Sequence, residues 1–364
     1  METPPALQGH ASLFLYPFFV NEALPSLSEK IAASPLWKKR EVSPASSEVL
    51  YFPPEATPLL FDNTYILHEP QAFGLTFAGH SLLLHGGRLH LWGRDMGCLV
   101  LDLSLANQIE GTASPAGFAD LLDFNESFRY ISDLYEGHRE QRARLQVFRD
   151  GRETLSAGRV EEFVVHLLET DCLTPAFDQR LVVFSFARVE EDPPPEWVYK
   201  FFNVDSSVYE LPDKKYVKHF LKHNLYRRWQ GAGTLYGFTH YSGGCLVASR
   251  QPSSAEFSQD WLLGQFRTIY LDLALILLCQ LSTLQRLNSR LTTLDLTNRA
   301  GFVAILADFT RFVRDHWFLR ITDQDQGREL FRLWRIIWEE DYRLMETVEH
   351  KIHMLKQWFR EEGG

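Results

Sequence analysis

Cysteine is scarce in this chain and never clustered. Cys98, Cys172, Cys245 and Cys279 are the only 4 in 364 residues, with no short spacing between any two. That pattern excludes a disulfide framework and a Cys-based zinc site, and it fits a reducing cytoplasm. Basic residues are outnumbered, with 37 Lys and Arg against 47 Asp and Glu and a formal charge of -10. A nucleic-acid binder with a wholly basic surface is thereby excluded, but a local basic face is not. Long apolar runs are missing too. The most apolar stretch, Leu273 to Cys279, is bracketed by Asp272 and Gln280 and falls far short of the about 20 residues of a membrane span. The first residues have no basic region and no small-residue cleavage site, so no signal peptide is expected.

Catalytic signatures are absent as well. There is no Gly-rich loop ending in Gly-Lys-Ser/Thr, no Gly-x-Ser-x-Gly and no His-Glu-x-x-His. His240 and Ser242 put a hydroxyl near an imidazole without a third residue to orient them. No catalytic residue is assigned, and the expectation leans away from an enzyme.

What the chain does have is apolar periodicity in its last third. Leu263, Phe266, Tyr270, Leu273, Leu277, Leu284, Leu287, Leu291 and Leu294 keep heptad spacing, interrupted only by Gln280. This predicts one continuous helix over Trp261–Leu296, roughly 35 residues and about 50 Å long. Its seam must be buried against the chain itself, a second copy or a partner. Leu277, Gln280, Leu284, Leu287, Leu291 and Leu294 are therefore candidate interface residues, with Gln280 setting register. A shorter helix is expected around Phe302–Trp317 after a Thr297-Asn298 cap, and a third long helix from Thr322-Asp323 through Phe359. Ser253 and Glu256 make a capping-box pattern ahead of the first.

The preceding 250 residues are of mixed type. Ser12–Val20, Glu48–Phe52, Cys98–Leu103, Glu162–Leu168, Arg180–Val189, Trp197–Val204 and Tyr236–Ala248 are expected to be extended. Ser81–Leu84 and Arg88–Trp92 are expected to form a hairpin turning at Gly86-Gly87. Ala116–Ser132, Asp133–Val147 and Lys214–Arg228 read as helical. The fold class is thus α+β or α/β: a mixed-sheet domain over 1–250, then a bundle of long antiparallel helices over 251–364.

Four groups of polar residues bear on function. Lys215, Lys218, Lys222, Arg227 and Arg228, with Lys214, make an anion-binding face for phosphate, nucleotide or an acidic partner; a solvated helix face is the plainer reading. His219 and His223 have metal-ligand spacing there, but the surrounding ammonium groups make a poor cation site. Glu346, His350 and His353 share one side of the last helix, a candidate metal set whose plainer reading is a polar outer face. Asp323-Gln-Asp325-Gln-Gly327 fails as a calcium loop, since Trp334 stands at the bidentate position.

Several stretches resemble CorA-like divalent-cation transporter proteins in their cytoplasmic portion. These are Asp123–Arg129, Arg180–Phe186, Tyr236–Ser242, and Gln324–Phe331 with Trp334. The family's Gly-Met-Asn pore motif is absent, so the chain as written is not expected to conduct ions. The resemblance implies a ring-forming regulatory or ligand-sensing protein, with a divalent cation such as magnesium as its cofactor. No acidic sensor residue maps onto this sequence. Two functions lead, ahead of a hydrolase or nuclease whose residues converge only in three dimensions. One is a cytoplasmic, non-enzymatic, oligomeric regulator that uses its long helices to assemble copies or bind a helical partner. The other is a scaffold that docks a nucleotide or nucleic acid through residues 214–228.

Overall fold

A computed structural model of the chain describes residues 3–21, 24–93, 95–109, 116–130, 144–177, 180–248, 261–318 and 320–361. The class is α+β, with a large mixed sheet followed by helices. The chain divides into two compact units, one of residues 1–41 and 63–271, the other of residues 42–62 and 272–364. A single division at residue 250 was expected. The structure instead places the early segment 42–62 with the late helices and puts the second division inside a helix.

The first unit holds one 13-stranded sheet. Its early strands are β1 (Leu7–Val20), β2 (Trp37–Lys39), β3 (Thr64–Leu67), β4 (Phe73–Phe77), β5 (His80–Trp92) and β6 (Met96–Ile109). Next come β7 (Leu145–Arg149), β8 (Arg152–Ala157), β9 (Leu173–Pro175) and β10 (Val182–Val189). The last are β11 (Leu225–Tyr226), β12 (Thr234–Phe238) and β13 (Ser242–Ala248). The main path runs β11-β12-β13-β10-β1-β6-β5-β4-β7-β8. Among the described strands all pairs are antiparallel except β10 with β13, whose register sets Val183 against Ser242.

Among the described residues, seven α-helices precede the long one. They are α1 (Leu24–Ala33), α2 (Ser47–Leu50), α3 (Thr57–Phe61), α4 (Phe118–Phe128), α5 (Val160–Leu168), α6 (Pro195–Asn203) and α7 (Lys214–His223). Four of the expected elements change type or shape. Glu48–Phe52 begins as the short α2, because Ser46 accepts a hydrogen bond from the Val49 N–H and caps it. Glu162–Leu168 and Trp197–Val204 are helices, α5 and α6, and not strands. In α6 every residue from Trp197 to Phe202 is buried, Lys200 included, so burial there follows no 3.6-residue period. Tyr236–Ala248 is a hairpin of two strands, not one strand.

Gly86-Gly87 is not a turn. It lies within β5, with an irregularity between Leu84 and Gly86, and neither glycine has positive φ. Gly87 is needed for close approach, since a Cβ there would stand 3.0 Å from Leu67 Cβ. Asp133–Val147, expected to be helical, lies mostly outside the described residues, and its end belongs to β7. The Ser253–Glu256 pattern also lies outside them.

The long helix α8 spans Leu263–Thr292. It ends short of Leu296 and contains a π-helical stretch at Phe266–Tyr270. By length and composition it suffices to cross a membrane, which the run Leu273–Cys279 alone did not suggest, and 83% of its most apolar window is buried. In the first unit, Phe266 stacks on Phe184 at 4.2 Å and Tyr270 meets Tyr236 edge-on at 5.4 Å.

The second unit continues with α9 (Arg299–Asp315), α10 (Asp325–Ile337) and α11 (Glu339–Glu361). Asn298 caps α9 as expected, accepting from the Gly301 N–H at 2.8 Å. The expected third helix is broken in two at Trp338. Leu284, Leu287 and Leu291 share a core with Phe302, Ile305 and Phe312 of α9 and Met345, Val348 and Ile352 of α11.

Candidate functional site

Asp213 starts α7 by accepting from the Lys215 N–H at 2.8 Å. Only Val217 and Phe220 of the helix are buried, three residues apart and hence on one face. Phe220 packs edge-on against Tyr199 of α6 at 5.0 Å. That anchorage leaves Lys214, Lys215, Lys218, Lys222, His219 and His223 exposed. Two large aromatics lie among these cations, Tyr216 at 56% exposure and Trp229 at 45%. From Lys214 to Ala255 the sequence has no Asp or Glu.

Two of the candidate residues play different parts from those expected. Arg227 turns back to the helix, its Nη2 donating to the Leu221 carbonyl at 2.7 Å and its Nη1 to Gln230 Oε1 at 2.9 Å. It thereby satisfies a carbonyl at the negative end of α7. The Arg228 guanidinium lies 5.6 Å from the centre of the Trp229 ring, a cation–π arrangement. His219 and His223 sit with ring centres 4.3 Å apart. Among the described residues no three His, Cys, Asp or Glu side chains group so as to hold a metal ion. Glu346, His350 and His353 accordingly do not form such a group, and all three are exposed on α11.

The seam residues are not free for a second copy. Leu277, Gln280, Leu284, Leu287 and Leu291 are buried within one chain, and half-buried Leu294 packs on the same core as Leu284. Gln280 Nε2 donates to the His316 carbonyl at 2.9 Å. The polar break in the seam thus ties two helical segments of one molecule.

Sequence reasoning missed three polar arrangements, because each joins residues distant along the chain. Lys200 is almost wholly buried, and its Nζ donates to the Ser207 and Tyr209 carbonyls at 2.6 Å. Asp123 accepts from the Ser206 hydroxyl and from the Ser207 N–H and hydroxyl, holding the same loop. Just before it, Val204 has φ 56, a strained value for a β-branched residue.

The second arrangement pairs Asp102 of β6 with Arg267 of α8. Burial pushes the Asp102 carboxyl upward while Arg267 pulls it back down. His85 Nε2 stands 2.7 Å from Ser104 Oγ beside them. Base and hydroxyl meet there, but Arg267 holds the carboxylate, and the Leu105 N–H is given to His10 Nε2. Nucleophilic catalysis needs an oriented base and an oxyanion donor, and these contacts already occupy the Asp102 carboxylate and the Leu105 N–H.

The third is a cleft of about 140 Å³ beside the end of α7, with Arg227, Gln230 and Asp192 among its lining. No family model, curated protein or solved structure matches this chain. The resemblance to CorA-like proteins therefore rests on the stretches quoted above.

Proposed function

We propose that this protein is a non-enzymatic docking protein that holds an anionic partner, a nucleotide or nucleic acid, on the exposed face of residues 214–228. The observation carrying this reading is a solvent-facing run of basic residues, with no Asp or Glu between Lys214 and Ala255 in the sequence, on a chain of net charge -10. On such a chain most of the surface repels polyanions, so binding must be local and salt-sensitive. The aromatic rings of Tyr216 and Trp229 would add stacking contacts for unpaired bases.

Replacing Lys215, Lys218, Lys222 and Arg228 by Gln tests this without touching Arg227. The expected result is loss of retention on a polyanion column and a flatter dependence of affinity on salt, by about 0.7 to 0.9 in log–log slope per phosphate contact removed. Unchanged binding rejects the reading.

The second reading is a cytoplasmic, CorA-like regulator that assembles copies or binds a helical partner. It takes α8 to α11 as an antiparallel bundle, supported by the apolar core that α8, α9 and α11 share. Since that core is internal, assembly would use outward residues such as Met354 and Trp358, four apart on α11 and both exposed. Light scattering at two concentrations tests assembly, and thermal shift against magnesium tests sensing. A concentration-independent monomer with no magnesium response rejects it.

A further inference from the structure

Asp123–Arg129, Arg180–Phe186 and Tyr236–Ser242 are far apart in sequence and meet in the first unit. The Leu181 N–H donates to the Arg129 carbonyl at 2.7 Å, and the Val183 N–H to the Tyr241 carbonyl at 2.9 Å. Tyr130 and Arg180 form an isolated β-bridge. Side chains at this meeting point alternate between cation and ring. The Arg129 guanidinium lies over the Tyr130 ring at 5.5 Å. The Arg180 guanidinium lies over the same ring at 5.4 Å and over the Tyr241 ring at 5.5 Å.

The row has little net charge to offer. Asp205 interacts electrostatically with both arginines, and Glu126 stands close to Asp205. Two carboxylates thus offset two guanidinium groups. What the row offers a ligand is ring surface: Tyr241 at its end is 45% exposed, and Arg180 braces that ring by a cation–π contact.

Helix α6 joins the row to the basic face. Its Tyr199 packs on Phe220 of α7 at 5.0 Å. The next residue, Lys200, holds the Ser207 and Tyr209 carbonyls, and the Tyr209 hydroxyl donates to Glu126 at 2.9 Å. A lysine-rich face and a braced, exposed ring on one unit match a chain that carries phosphates and unpaired bases together. A duplex keeps its bases stacked on one another, and an acidic peptide engages the lysines without needing the ring.

We propose that Tyr241, braced by Arg180, is a second contact site for a single-stranded nucleic acid and stacks on one of its bases. This rests on the reading that residues 214–228 hold a nucleic acid, and it narrows that partner to unpaired strands. The salt slope counts neutralised phosphates, so the lysines set it and Tyr241 leaves it alone.

The test is fluorescence-anisotropy titration of the full chain with three labelled strands, each about 12 nucleotides long. They are oligo(dT), oligo(U) and an abasic deoxyribose-phosphate strand of equal charge. Tyr241→Ala should weaken binding of oligo(dT), oligo(U) or both about 5- to 100-fold. It should leave the abasic strand and the salt slope unchanged, and Tyr241→Phe, which keeps the ring, should bind like the original chain. A loss confined to one base-bearing strand supports the site and identifies its partner as DNA or RNA. Unchanged binding of both base-bearing strands by Tyr241→Ala, or an equal loss on the abasic strand, overturns the inference and leaves the polyanion reading standing. Failure of the unaltered chain to bind any of the three overturns both.

Discussion

Arg267 grips Asp102 through two nitrogens, Nε at 2.7 Å from Oδ2 and Nη2 at 3.1 Å from Oδ1. The carbonyl of the same arginine accepts from Arg88 Nη2 at 3.0 Å, so β5 and β6 both hold the start of α8. Removing the arginine strands a largely buried carboxylate. Breaking a fully buried pair costs about 3–5 kcal/mol, and this one keeps part of its surface in water, so Arg267→Met should cost about 2 kcal/mol. Adding Asp102→Leu should recover most of the loss. Urea midpoints at constant slope measure both.

A second outcome concerns acid. Burial, reinforced by His85, lowers the His10 pKa from 6.5 to about 4. The folded state therefore resists a proton that the unfolded chain takes up readily. Stability from this group is intact above pH 6.5 and is lost as pH falls toward about 4, by at most about 3 kcal/mol. His10→Gln can still accept from the Leu105 N–H and does not titrate, so it should flatten the decline between those pH values. Chemical denaturation at pH 7, 5.5 and 4.5 decides. An equal decline in the variant would place the acid sensitivity elsewhere.

Gly233 is a backbone requirement. Its φ is +82, and a Cβ there would overlap the Ala248 carbonyl oxygen. Gly233→Ala should cost about 1–3 kcal/mol and deform the wall of the cleft, seen as a lower thermal midpoint.

Leu287 separates the two uses of the helical seam. It packs inside one chain, so Leu287→Ala should cost about 3–5 kcal/mol through cavity formation. The molar mass by light scattering would not change, and the thermal midpoint would not depend on protein concentration. A drop in mass would return the seam to an interface between copies.

The sequence made the helical third legible because its helices bury stripes of Leu and Phe against polar outer faces. The period survives in residues such as Leu284, Leu287 and Leu291. It also exposed α7, where Val217 and Phe220 stand alone among lysines. Helix α6 lost that signal because residues 197–202 are all inside, whereas α5 keeps it. Its Val160, Phe163, Val164, Leu167 and Leu168 are buried at helical spacing, and the extended reading of Glu162–Leu168 overlooked it. The break at Trp338 left no mark on the heptads. Contacts such as Asp102 with Arg267 or Asp123 with Ser207 join residues too distant in sequence for spacing to register. The cleft has the same origin, since it forms where Asp192, Leu221 and Leu246 converge from separate elements.

The interleaving of segments constrains how the molecule is made. Residues 42–62 belong to the unit completed by residues 272–364, and in it a Cβ on Gly327 would overlap the Tyr51 hydroxyl. A ribosome delivers that early segment more than two hundred residues before its companions. The second unit therefore stays incomplete through most of translation, and an expression fragment beginning at residue 251 would lack a strip of its own interior.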